Sequence, residues 1–138
     1  LDPPQAPIVT LLLELIDSYI ARPDVDPRRV YIMGISMGGI ATFDIVARYP
    51  QKFAAAIPIC GSVNPQRLTG TKGVAWRIFH GDADPAVEPE YSKKAFAALQ
   101  AAGAEAELTL FPGVTHNCWD KSYLETDLIA WLLAKENS

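Results

Sequence analysis

Apolar residues in this chain recur in two rhythms that take turns. From Ile8 to about Ala21, Leu12, Leu15, Ile16, Tyr19 and Ile20 repeat at helical spacing, until Pro23 and the polar turn Asp24–Arg28 end the pattern. Val30 to Ile35 is a nearly unbroken apolar run and predicts a buried strand. Helical spacing then returns and lasts to about Arg48. Tyr49-Pro50 closes it, because the residue before a proline is pushed out of the α region. Phe53 to Cys60 predicts a second strand. Pro58 lacks a ladder donor there, so imperfect pairing is expected around it.

Ser62 to Gly73 is a polar connection without a helical signal, and Val74 to Phe79 predicts a third strand. Glu88-Pro89-Glu90 opens a helix that runs to Ala102 and stops at Gly103. Glu105 to Phe111 predicts a fourth strand. A last helix from about Ser122 to Lys135 is expected to bury Leu124, Leu128, Trp131 and Leu132. Alternating helices and apolar strands predict an α/β fold, a parallel sheet of about four strands with helices on both faces. In such sheets, binding and chemistry gather beyond the carboxyl ends of the strands.

Composition narrows the partners more than the fold. The 138 residues suggest one domain with a sizeable core, and the formal charge of −4 argues against a nucleic-acid or acidic-membrane partner. No basic cluster exceeds Arg28-Arg29 or Lys93-Lys94, and no apolar stretch is long enough to span a bilayer. The start, Leu1-Asp2-Pro3-Pro4, is not signal-like and lacks an initiator Met, which suggests a trimmed chain. Cytoplasm and secretion both stay open. Cys60 and Cys118 read as two buried thiols rather than a disulfide.

The chemistry centres on Gly34-Ile35-Ser36-Met37-Gly38, which joins the first strand to the helix after it. A serine at the apex of so sharp a strand-to-helix turn is a nucleophile elbow. The strained turn requires very small residues on both sides, here Gly34 and Gly38, and the Met37 amide would face a developing oxyanion. A serine hydroxyl needs a base, and the base needs an orienting acid. The two histidines, His80 and His116, each follow a predicted strand, and Asp82 and Asp84 are the available acids. His116 is the preferred base, with His80 packed under the site. Trp119, beside the base, either walls a substrate pocket or anchors the last loop, and Trp76 belongs to the core. Two histidines on distant loops and no close cysteine pair make a poor metal-ligand set, so neither metal nor cofactor is expected.

Three segments, Gly-Ile-Ser-Met-Gly-Gly, His-Gly-Asp-Ala-Asp-Pro-Ala-Val and Gly-Val-Thr-His-Asn-Cys-Trp, together resemble the α/β-hydrolase superfamily. Within it the chain is most similar to bacterial phospholipase/carboxylesterase-like esterases, which share the outline of dienelactone hydrolases. The resemblance implies the chain order Ser36, Asp84, His116, with Asp84 as the acid and Asp82 as a turn residue. Ser36 departs from the cysteine of dienelactone hydrolases proper and from the aspartate of dehalogenases.

The implied activity is hydrolysis of small carboxylic esters through an acyl-enzyme. A serine peptidase of the prolyl-oligopeptidase type is the alternative within enzymes, and an impaired fragment serving as an association unit is the alternative outside them. The family's sheet begins with about four more strands, and a loop after the third gives the second oxyanion amide. The chain is therefore expected to be the C-terminal portion of a larger hydrolase with an open elbow-strand edge. Self-association or pairing with a missing N-terminal part would complete it. The short Ser62–Gly73 connection implies an open site without a large lid.

Overall fold

A computed structural model describes residues 2–125 and 127–137. The four expected strands form as β1 (Tyr31–Ile35), β2 (Ala55–Ile59), β3 (Ala75–Gly81) and β4 (Ala106–Phe111). They lie side by side in chain order and every pair is parallel. Parallel neighbours require crossovers: α2 (Met37–Arg48) lies between β1 and β2 and α3 (Glu90–Ala101) between β3 and β4, while α1 (Pro7–Ile20) precedes β1 and α4 (Trp119–Tyr123) and α5 (Leu128–Leu133) follow β4.

Strand alternation sends the apolar side chains to two faces. One face holds Phe43, Val46, Trp76, Ile78 and Leu99 with α1, α2 and α3, and the Phe43 and Trp76 rings stack 5.5 Å apart. The other holds Ile57, Ile59, Phe79, Cys60 and Cys118 beneath Leu128 and Leu132 of α5. Helices therefore cover both faces, and Trp76 is core as expected. Pairing of β2 with β3 registers at Ala55, Ala56 and Ile59 but skips Ile57 and Pro58, so the ladder is interrupted at the proline.

The structure departs from the sequence pattern in three places. The Val30–Ile35 run is only half-buried, with Met33 exposed, because β1 pairs on one side only among the described residues. Beside it, α1 and α2 frame an apolar groove of about 470 Å³, and α1 presents Ile8, Leu11, Leu15 and Tyr19 outward.

The polar connection contains a 3-10 turn, Pro65–Leu68, capped where Asn64 Oδ1 accepts from the Gln66 amide at 3.1 Å. Leu68 is its fully buried anchor.

The last helix is two helices. α4 buries Ser122 and α5 buries Leu128 and Leu132, while Leu124 is 76% exposed. α4 closes at Leu124, whose amide donates to the Asp120 carbonyl at 3.2 Å, and α5 starts afresh after Asp127.

Candidate active site

Ser36 follows β1 and caps α2 with φ 55° and ψ −113°, a conformation few non-glycine residues adopt. Its amide donates to the Ile59 carbonyl at 2.8 Å, which ties the turn to β2. A Cβ on Gly34 would sit 2.2 Å from the Gly38 carbonyl oxygen, so no side chain fits there. The matching demand on the far side falls on Gly39 rather than on Gly38. A Cβ on Gly39 would meet the Ile59 carbonyl oxygen at 2.6 Å, whereas one on Gly38 meets nothing within 4 Å. Met37 opens α2, where its N–H has no intrahelical acceptor and the helix dipole is positive. Its side chain is exposed.

The ends of β3 and β4 deliver the other two groups. His116 Nε2 lies 2.8 Å from Ser36 Oγ, and His116 Nδ1 lies 2.8 Å from Asp84 Oδ2. A carboxylate only accepts, so Nδ1–H donates to Asp84 and Nε2 is left to accept from the serine hydroxyl. Asp84 Oδ1 accepts from the Ala86 and Val87 amides at 2.8 and 2.9 Å. Burial pushes the Asp84 carboxyl up. The hydrogen bonds from His116 and from the Val87 and Ala86 amides outweigh that and hold it below the usual aspartate range.

Asp82 does not reach the histidine. Its Oδ1 accepts from the Gly113 amide at 2.7 Å, and the Asp82 and Ala83 amides donate to Phe111 and Val114 at 3.1 and 3.0 Å. These bonds stitch the loop carrying Asp84 to the loop carrying His116. Gly81 allows the approach, since a Cβ there would meet the Val114 carbonyl oxygen at 2.2 Å. Trp119, half-buried at the start of α4, sets its ring edge-on to His116 with centroids 5.9 Å apart.

Two arrangements here go beyond the sequence reading. Cys60 and Cys118 are fully buried, reduced and in contact, which corrects the expectation of no close cysteine pair: β2 and the His116 loop end at the same place. A hydrogen bond from Cys60 pulls the Cys118 thiol down to about 7, while Cys60 is pushed up. Donor atoms of Cys60, Asp84 and His116 fall within 4.8 Å of one another, but the last two are already bonded to each other.

The second arrangement is His80, whose Nε2 lies 3.2 Å from Asp84 Oδ2. Its only signal in the sequence is its place at the end of a strand, four residues before Asp84.

A parallel sheet with covered faces and this site at its carboxyl end is an α/β-hydrolase fold. The chain belongs to the dienelactone hydrolase family, whose sequence model matches residues 3–125. It is 32% identical over 132 residues to a probable carboxylesterase SOBER1-like protein of Arabidopsis thaliana, across 90% of this chain and 48% of that one. It is 30% identical over 73 residues to the putative esterase NocK of Nocardia uniformis subsp. tsuyamanensis, across 51% of this chain and 21% of that one. Among solved structures, a thermostable esterase superposes with a TM-score of 0.90 at 29% identity, over 97% of this chain and 38% of the esterase. Arabidopsis thaliana SOBER1 superposes with a TM-score of 0.73 at 27% identity, over 91% of this chain and 61% of SOBER1. The chain spans about half the length of the carboxylesterase relatives it matches. Among the described residues, no helix is long and apolar enough to cross a membrane.

Proposed function

We propose that this chain carries the catalytic residues of a serine carboxylesterase acting on small-molecule esters. One observation carries the reading: an unbroken hydrogen-bonded line from Ser36 Oγ through the His116 ring to Asp84, starting at a strained serine on a helix N-terminus. Ser36 Oγ attacks the ester carbonyl carbon as His116 Nε2 takes its proton, and the carbonyl oxygen becomes an oxyanion facing the Met37 amide. Collapse breaks the bond to the alcohol oxygen, which His116 protonates. Water then attacks the acyl-enzyme, giving its proton to His116, and the acid leaves with Ser36 regenerated. Asp84 holds the His116 tautomer and stabilises the imidazolium. Trp119 walls the substrate side of the base. The carboxylesterase relatives support the ester class. Peptidases with the same fold superpose at 18% and 17% identity, which speaks for the fold alone.

The chain acts as the C-terminal portion of a longer hydrolase; its span of about half the length of its carboxylesterase relatives supports the longer parent. The open edge of β1 and the outward Ile8, Leu11, Leu15 and Tyr19 are the surfaces that a preceding part or a second copy would cover. The test is intact mass before and after a fluorophosphonate probe. One adduct on the native chain and none on Ser36→Ala is the expected result. A folded chain that never gains the probe overturns the reading for this chain.

A further inference from the structure

His80 takes no part in the steps above, yet it is completely buried against the acid of the site. A buried imidazole needs partners for both nitrogens. Nδ1 lies 2.7 Å from Ser92 Oγ in the first turn of α3, and Nε2 lies 2.8 Å from the Val87 carbonyl oxygen. A carbonyl only accepts, so Nε2 carries the proton, and in the neutral ring Nδ1 accepts from the Ser92 hydroxyl. The same Nε2 is 3.2 Å from Asp84 Oδ2, the oxygen that holds His116.

The Asp84–Val87 loop is thereby fastened at both groups of one peptide residue. The Val87 amide donates to Asp84 Oδ1, and the Val87 carbonyl accepts from His80. The two backbone amides alone fix Oδ1 and leave the carboxylate able to pivot about it. His80 supplies a further hold: its Nε2–H is bonded to the Val87 carbonyl, which fixes the residue whose amide grips Oδ1, and the same nitrogen stands 3.2 Å from Oδ2. We propose that His80 is a positioning residue, whose Nε2–H bond to the Val87 carbonyl holds the Asp84–Val87 loop, and with it the Asp84 carboxylate, so that Oδ2 faces His116 Nδ1. This rests on the reading of Ser36, His116 and Asp84 as the catalytic residues.

The experiment compares His80→Leu, which keeps bulk and removes the N–H, with His80→Gln, whose amide can supply a donor near the Nε2 position. Folding is checked by thermal melting. The readouts are kcat and KM on a p-nitrophenyl ester, and the downfield NMR proton bridging His116 and Asp84. For His80→Leu we expect a loss of about a hundredfold in kcat, the scale of a small misplacement, with KM within threefold because Asp84 does not touch substrate. The bridging proton should move or vanish in the same variant. His80→Gln should recover at least tenfold in kcat and restore the resonance.

A folded His80→Leu with unchanged kcat and resonance overturns the proposal. So does a His80→Gln as poor as His80→Leu, which would mark a packing role. Should His80→Leu not fold, Ser92→Ala serves instead: it frees Nδ1, and an unmoved bridging proton overturns the proposal. The resonance reports on positioning even in a chain that hydrolyses nothing, so a failed esterase reading remains separable from a failed role for His80.

Discussion

Asp84 stands between two serine–histidine contacts of nearly equal length, Ser36–His116 at 2.8 Å and Ser92–His80 at 2.7 Å. Both histidines address the same carboxylate oxygen. Distance therefore does not separate the pair proposed as reactive from the structural one. Access and ring orientation do. His116 presents Nδ1 to Asp84, which leaves Nε2 free to accept a proton, and its side chain is 28% exposed. His80 spends its Nε2–H on a backbone carbonyl and is sealed from solvent, as is Ser92. Ser36 is held at a positive φ on a turn, whereas Ser92 lies inside a regular helix. A proton acceptor that no substrate can reach serves as a brace.

The sharpest way to break this contrast is to remove each hydroxyl in turn. Ser36→Ala should lower kcat by up to about 10⁶-fold on a p-nitrophenyl ester, whereas Ser92→Ala should cost less than about tenfold. Asp84→Asn comes next, at about 10⁴-fold in kcat, because an amide nitrogen facing His116 Nδ1 would favour the wrong tautomer. Gly34→Ala places a methyl against the Gly38 backbone and should cost about 3 kcal/mol in urea unfolding. Gly38→Ala, with open space and a better helix former, should change stability by no more than about 1 kcal/mol.

The smallest effect concerns acid. Asp84 and Asp44 are both held below the ordinary aspartate range against their burial: Asp84 by His116 and two amides, Asp44 by Arg48 and Arg67. Depressed carboxyls add stability above the unfolded value near about 4 and lose it as pH falls through the lower folded value. Urea midpoints should therefore drop as pH falls below about 4, and Asp84→Asn should flatten that slope.

Much of this was legible in sequence because it is local. The apolar strands, the Gly103 stop of α3 and the turn around Ser36 are written in consecutive residues. The order of three short segments picked out Ser36, Asp84 and His116, which the structure brings within hydrogen-bond reach of one another.

What escaped depends on contacts across the fold. The helical spacing of Leu124, Leu128 and Leu132 hid a break that exposes Leu124, because periodicity cannot say which face the sheet will claim. Gly39 looked like any helical residue until Ile59 stood behind it. Cys60 and Cys118 read as buried but not as neighbours, and His80, expected packed under the site, gave no sign of its partners Ser92 and Val87.

The all-parallel sheet has a kinetic corollary. No strand here can pair with its neighbour through a tight turn, so each pairing must close a long loop before contacts repay it, which makes such topologies slow to assemble. Ser36 and His116 are 80 residues apart along the chain, and His116 arrives only after β4, three strands beyond β1. A nascent or partly collapsed chain thus holds a serine without its proton acceptor. On this view reactivity matures late, and labelling of Ser36 during refolding would time the docking of β4.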